Sequence, residues 1–308
     1  MQKYVYKNYE LEKLKKHNLL NYIFQKFNGE PKVLSSLKKN GFVQIKKTLN
    51  LNELSTLALK AETILKKFKK FKTQEEVPFN VPYSVNQNMC NMTLLEYPSK
   101  KLNYPALKII RNSPVWKIIT NYFKSNKLLC LVPISSFRSI SPDEKKYSLP
   151  YHQDGFALPQ LPSFDMLSAW ILLKPDICDN KVPGLEFLKE RMRENLEIDR
   201  SKKGFLKWSS IKTNNINDLK KKSGFWRPTI TLGDILLFNR YCIHKSYLCN
   251  LNKKTRYSLE LRFLKNNSAT RELFKKRKNP VILIGHQVFA PQNIKWKEGS
   301  WNLENLNW

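Results

Sequence analysis

Acidic residues are scarce in this chain, with 25 Asp and Glu against 55 Lys and Arg, a formal charge of +30 over 308 residues. Glycine is scarce as well, at nine, and only four histidines occur, so any pattern that uses two of them carries weight. No apolar run approaches the ~18 residues that a membrane span needs. The opening Met1-Gln2-Lys3-Tyr4 leads into charged residues without an apolar signal stretch, so a cytoplasmic protein with no membrane partner is expected. Cysteines stand at 90, 130, 178, 242 and 249, an odd number with no CxxC pair. That excludes a disulfide framework or zinc knuckle and implies reduced, buried thiols. The basic excess favours polyanion partners, but Lys far outnumbers Arg and Asn is abundant, as an AT-rich coding sequence produces without selection on the surface. The clusters Lys66-Lys67, Lys69-Lys70, Lys220-Lys221-Lys222 and Lys275-Lys276-Arg277-Lys278 are spread along the chain and read as solvated faces.

The length suits a single β-rich domain over 1–308 with helical decoration, and no internal repeat or low-complexity linker interrupts it. Apolar residues at near-helical spacing predict helices over 9–27, 32–39 and 104–124, and another from Asn50 or Asn52 with Leu54, Leu57, Ala58, Ala61, Ile64, Leu65, Phe68 and Phe71 on one stripe. Asn40-Gly41 is a helix stop, and Phe42-Val43-Gln44-Ile45 a short strand. Residues 77–99, rich in Pro, Asn and Tyr, read as irregular structure. Beyond 126 the pattern changes to short apolar runs at 127–138, 149–154, 167–173, 184–188, 228–232, 234–238, 242–248 and 256–264, the sequence form of a sandwich or barrel. The charged 189–227 segment is an insert long enough for a lid, and the extension 265–308 holds one strand-like run, Val281-Ile282-Leu283-Ile284, before a tryptophan-rich end.

His152-Gln153-Asp154, answered about ninety residues later by His244, supplies two imidazoles and a carboxylate, a three-ligand set for ferrous iron that leaves positions open for dioxygen and a co-substrate. In a strand, residues two apart share a face, so His152 and Asp154 are expected to project together while Gln153 points away. If a hairpin centred near Asn250 joins the strands of His244 and Arg256, those two residues lie opposite each other. The guanidinium would then sit where it could hold the far carboxylate of a dicarboxylate co-substrate, with the Ser258 hydroxyl on the same face. Glu260 and Arg262 share that face too, and two placements are open for them: an ion pair inside the barrel, or exposure beyond its rim.

At these positions the chain resembles the phytanoyl-CoA dioxygenase-like branch of the Fe(II)/2-oxoglutarate dioxygenases. The resemblance runs over about 40–264, through Asn40-Gly41-Phe42-Val43-Gln44-Ile45, Leu149-Pro150-Tyr151-His152-Gln153-Asp154-Gly155, Leu167-Ser168-Ala169-Trp170-Ile171-Leu172-Leu173, Pro183-Gly184-Leu185-Glu186-Phe187-Leu188, Gly233-Asp234-Ile235-Leu236-Leu237-Phe238 to His244, and Arg256-x-Ser258. It implies a mainly β fold with a double-stranded β-helix (jelly-roll, cupin-like) core and the helical 1–126 part packed outside. It also implies His152, Asp154 and His244 as iron ligands, Arg256 as the 2-oxoglutarate partner, and Trp170 beside that co-substrate. Arg138, just before the first metal motif, is a candidate for contact with 2-oxoglutarate or substrate. The expected reaction is hydroxylation of a small-molecule substrate with O2, releasing succinate and CO2. Halogenating relatives replace the ligand carboxylate with a small residue, and Asp154 is intact. The chain departs from the family after Leu188, where Lys189-Glu190-Arg191-Met192 stands in place of Pro-Gly-Ser-His, which puts the substrate wall in doubt. Phe156, Phe187 and Tyr247 flank the ligands as pocket or core residues, and His17 and His286 have no motif context. Two other readings stay open: a basic nucleic-acid-binding protein, and a metal-dependent cupin-type enzyme that does not use 2-oxoglutarate.

Overall fold

A computed structural model describes residues 30–73, 76, 83–84, 88–91, 105–131, 135–145, 148–157, 165–177, 182–199, 201, 210–268, 270, 281–284, 288–289, 294–297 and 300–303. The helix expected over 9–27, most of 77–99, Cys178, His17, His286, the basic cluster at 275–278 and the side chain of Phe156 lie outside these residues.

Helix α1 (Glu30–Asn40) stops at Gly41, whose φ of +84° suits glycine and whose N–H donates to the Leu37 carbonyl at 2.9 Å. Strand β1 (Phe42–Ile45) follows, then α2 (Leu51–Phe68), where Asn50 Oδ1 accepts from the N–H groups of Asn52 and Glu53. The helix expected over 104–124 is two, α3 (Pro105–Arg111) and α4 (Val115–Phe123). Pro114 has no N–H to continue the ladder, and the Ser113 hydroxyl takes the Ile110 carbonyl at 2.7 Å. The strands are β2 (Tyr83–Ser84), β3 (Met89–Asn91), β4 (Leu128–Leu131), β5 (Ser136–Ile140), β6 (His152–Gln153), β7 (Met166–Lys174) and β8 (Gly184–Leu188). After helix α5 (Thr213–Ser223) come β9 (Phe225–Trp226), β10 (Ile235–Asn239), β11 (Ile243–Tyr247), β12 (Arg256–Lys265), β13 (Val281–Ile284), β14 (Val288–Phe289), β15 (Ile294–Lys297) and β16 (Ser300–Leu303). The run expected at 127–138 is therefore two strands, and that at 228–232 is reduced to one bridge, Ile230 with Ile177.

The strands form a jelly-roll core of two antiparallel sheets. The larger has the order β1-β10-β7-β12-β4-β13-β14, with β5 beside the first half of β12 and leading to β3 and β2. The smaller runs β6-β11-β8-β9, and β15 and β16 make a separate hairpin. Alternation along the strands sorts the side chains into layers. On the outer face of the larger sheet Ala169, Ile171, Leu237, Leu259, Leu261 and Phe263 join one core with Leu54 and Leu57 of α2 and Ile118 of α4. On the inner face Trp170, Leu172, Leu236 and Phe238 meet Leu185 and Phe187 of the smaller sheet. Because β7 is covered on both faces, it reads as a continuous apolar run and is buried from Met166 to Leu173.

The expected pairing of His244 with Arg256 is not made. His244 pairs with His152 and Phe187 in the smaller sheet, while Arg256 pairs with Ile140 in the larger. The segment 248–255 crosses from one sheet to the other, and Asn252 shapes its corner by accepting from the Cys249 N–H at 2.8 Å and donating its own N–H to the Cys249 carbonyl. The lid expected at 189–227 is, in its described part, a brace on the outside. Ile211 and Ile216 of α5 and its approach join Leu188 and Ile243 on the outer face of the smaller sheet. Cys90, Cys130 and Cys242 are buried free thiols, and no described helix is long and apolar enough to cross a membrane.

Gly233 locks β1 to β10. Its φ is +91°, its carbonyl accepts from the N–H groups of Thr48 and Leu49, and a Cβ there would lie 3.2 Å from Leu51 Cδ2. Gly233→Ala is expected to lower stability by about 1–2 kcal/mol, read as a fall in the urea midpoint at unchanged slope.

Candidate metal centre

His152 and His244 face each other across the β6–β11 pair, with ring centroids 4.3 Å apart. Each imidazole is held from behind: Nδ1 of His152 lies 2.8 Å from the Pro150 carbonyl, and Nδ1 of His244 lies 3.1 Å from the Cys242 carbonyl. With Nδ1–H donating to the backbone, the Nε2 lone pair of each ring is directed to the other side. There Asp154 Oδ1 sits 3.7 Å from His152 Nε2 and 3.9 Å from His244 Nε2. One ligand atom from each of the three residues falls within 4.8 Å of the others, and all three residues are buried. Two neutral imidazoles and one carboxylate in this arrangement fit a divalent first-row ion with free positions.

The expectation that His152 and Asp154 share a strand face is corrected in detail, because β6 ends at Gln153 and Asp154 begins a single 3-10 turn through Ala157. Within the turn only glycine fits at 155, where a Cβ would lie 2.6 Å from Asn195 Oδ1 and 3.1 Å from the Arg240 carbonyl. Gln153 does point away, and it ties the outer brace to the site. Its amide donates to the carbonyls of Glu194 and Tyr241 and accepts from the Leu196 N–H.

Of the two placements open for Arg262 and Glu260, the interior is realised. Arg262 Nε donates to Asp154 Oδ2 at 3.1 Å, and Nη2 donates to Asp154 Oδ1 and to Glu260 Oε2, each at 3.0 Å. Ser168, directly opposite Arg262 in the β7–β12 register, adds a hydroxyl donor to Oδ2 at 2.5 Å. Burial alone would push the Asp154 carboxyl up, but Arg262 first, and then the two imidazoles, hold it well below the ordinary carboxylate range. Burial also works against the Arg262 charge, yet Asp154 and Glu260 keep its pKa above the ordinary value. Sequence reasoning missed Ser168 and left Arg262 undecided. The available signal was parity on β12 together with the need of a buried carboxylate for a counter-ion.

The remaining predicted residues line the same inner face. Arg256 is 1% exposed, its Nη1 donates to the Gly184 carbonyl at 2.6 Å, and the Trp170 ring lies 5.4 Å from its guanidinium carbon. Its Nε has no hydrogen-bond partner, and neither does the buried Ser258 hydroxyl two residues along the strand. Arg138 is buried directly opposite Ser258 on β5. Burial, and then the charge of Arg138, lower the pKa of Arg256 to about 9, which leaves it cationic at neutral pH. A buried guanidinium with an unpartnered Nε, beside an unpartnered hydroxyl, suits an anion. Phe187 and Phe238 pack on the His244 ring at centroid distances of 5.6 and 4.6 Å, making a dry wall. Tyr247 instead lies on the outer face, its ring centroid 3.8 Å from the Arg227 guanidinium carbon, away from the His–Asp–His group.

Burial, and next the neighbouring His244, lower the pKa of His152 from its ordinary 6.5 to about 3. The folded state therefore refuses a proton that the unfolded chain accepts below pH 6.5, and the metal-free protein loses stability as pH falls through that window. Between pH 6.5 and 5 the loss attributable to His152 is about 2 kcal/mol. Denaturant midpoints at pH 7 and pH 5 should differ accordingly, and His152→Gln should flatten the difference.

No family model and no curated protein sequence matches the chain. Solved structures share its fold. EctD from S. alaskensis with 2-oxoglutarate and 5-hydroxyectoine is 13% identical at TM-score 0.54, over 75% of this chain and 74% of that one. The epimerase SnoN, in complex with Fe3+, alpha ketoglutarate and nogalamycin RO, is 14% identical at TM-score 0.53, over 77% and 84%. EvdO2 from Micromonospora carbonacea var. aurantiaca, complexed with 2-oxoglutarate, is 12% identical at TM-score 0.52, over 76% and 90%. At such identities the likeness is one of fold: the jelly roll of this chain is similar to that of enzymes crystallised with 2-oxoglutarate.

Proposed function

We propose that the protein is an Fe(II)- and 2-oxoglutarate-dependent dioxygenase that hydroxylates a small-molecule metabolite. The observation that carries this reading is the presence of two unlike sites between the facing sheets: a His–Asp–His cation site where Arg262 meets Asp154, and a buried guanidinium with an unpartnered Nε six residues before Arg262 on the same strand. A dicarboxylate that chelates the ion at one end and meets a guanidinium at the other satisfies both at once. The similarity to folds solved with Fe3+ and alpha ketoglutarate, or with 2-oxoglutarate, supports the same pair. A resemblance to the phytanoyl-CoA dioxygenase-like branch rests on the sequence motifs.

His152 Nε2, His244 Nε2 and Asp154 Oδ1 would hold the iron. Arg256 and Ser258 would receive the far carboxylate, with Arg138 beside them and Trp170 bounding the chain of the co-substrate. Ferrous iron with 2-oxoglutarate and O2 supplies oxidative decarboxylation to succinate and CO2 coupled to oxidation of the substrate. This chain's residues contribute position and dryness: the backbone carbonyls of Pro150 and Cys242 fix the imidazole tautomers, and Phe187 and Phe238 exclude water beside His244. The intact Asp154 favours hydroxylation over halogenation, since its carboxylate occupies the position a halide would need.

The test is ferrous-iron-dependent formation of succinate from 2-oxoglutarate across a metabolite library. His152→Ala should abolish turnover. Arg256→Ala should raise the KM for 2-oxoglutarate by about 100-fold, the scale of a lost charge-assisted hydrogen-bond pair. Iron-independent activity, or indifference to Arg256→Ala, would overturn the reading.

A further inference from the structure

We infer that Arg262, together with Ser168, is a positioning device that makes Asp154 a one-oxygen ligand and so sets how many coordination positions the chain leaves open. The inference rests on the metal reading above and adds to it a role for two residues that do not themselves touch the ion.

A carboxylate has about four lone-pair directions, two on each oxygen. Oδ2 of Asp154 accepts from Arg262 Nε at 3.1 Å and from the Ser168 hydroxyl at 2.5 Å, so both of its directions are used. Oδ1 accepts from Arg262 Nη2 at 3.0 Å and has one direction left. Oδ1 is also the oxygen that lies 3.7 and 3.9 Å from the two imidazole Nε2 atoms. Three of the four directions are thus consumed by donors from the larger sheet, and the fourth faces the ligand pocket. The rotamer cannot swing to present both oxygens without breaking the guanidinium fork and the hydroxyl bond together.

The clamp is itself held. Arg262 and Ser168 are cross-strand partners, so one register delivers both donors. The Arg262 N–H donates to the Ser135 hydroxyl at 3.0 Å, and Glu260 takes a second bond from Nη2. The guanidinium is fixed between two acids, which distinguishes it from a mobile surface counter-ion. An octahedral ion bound by three single donors keeps three positions, enough for a two-atom chelate and one more ligand; a two-oxygen Asp154 would remove one of these.

The test uses the full-length protein and Mn(II) under anaerobic conditions, with affinity from titration and the number of exchangeable metal-bound waters from water-proton relaxation. The wild type should bind with about three such waters, the octahedral complement of three donors. Arg262→Gln should show about one water fewer and an affinity lower by roughly 10–100-fold, the usual effect of losing a group behind a metal ligand. Arg262→Lys, which keeps the charge and loses the fork, should not restore the wild-type water number. Ser168→Ala leaves the ion pair in place and guards against a folding failure in the arginine variants; it should shift the water number in the same direction. If the wild type binds no Mn(II), the metal reading fails. If it binds and Ser168→Ala and the folded arginine variants keep its water number, or Arg262→Lys restores it, the positioning inference fails while the metal reading stands.

Discussion

The contact between Asp154 and Arg262 is the interaction on which the rest of this structure depends. Asp154 comes from the end of the smaller sheet and Arg262 from the middle of the larger, so their two hydrogen bonds tie the walls of the jelly roll together at the ligand set. The pair is buried, and breaking such a pair from one side leaves an uncompensated charge at a cost of about 3–5 kcal/mol. It also pre-forms the site. A carboxylate that follows a two-residue strand and opens a one-turn helix has little backbone support of its own, and the opposite sheet supplies what is missing.

Along the inner face of β12 the charges alternate in purpose. Arg256 stands at its start with Arg138 beside it on β5, and farther along Arg262 pairs with both Glu260 and Asp154. The excess basic charge of the chain has a different character. Surface lysines such as Lys66, Lys69, Lys174 and Lys212 sit in ion pairs with Glu62, Glu144 and Glu197, and on the outer face of the smaller sheet Lys220, Arg227 and Lys245 surround the buried Glu186. On the inner face, by contrast, the Arg256 Nε and the Ser258 hydroxyl are buried without a hydrogen-bond partner.

Much of this was legible in the sequence because the physics is local. Asn50 and Gly41 mark helix ends through their own backbone chemistry, and the short apolar runs at 167–173, 234–238 and 256–264 become strands. His152, Asp154 and His244 stand out because histidine is so rare here. The expected pairing of His244 with Arg256 fails because a short polar connection between two strands reads as a hairpin, and only the closed topology of two sheets turns 248–255 into a crossing. The same limit hid Arg262 and Ser168. Their partner is 108 residues from one and 14 from the other, and the cross-strand register that unites them is a property of the assembled sheet. The insert at 189–227 was read from its length and charge, whereas the apolar residues Leu188, Ile211, Ile216 and Ile243 decide that its described part lies outside the smaller sheet.

A divalent cation and a dicarboxylate bound side by side must each change the affinity for the other. The most direct measurement is calorimetric titration of 2-oxoglutarate into the protein under anaerobic conditions, with and without saturating Fe(II). Because coupling between two ligands is reciprocal, the account predicts that Fe(II) tightens 2-oxoglutarate binding at least about tenfold, or about 1.4 kcal/mol, and that 2-oxoglutarate tightens Fe(II) binding by the same factor. Equal 2-oxoglutarate affinity in the presence and absence of Fe(II), or no binding in either case, would contradict it.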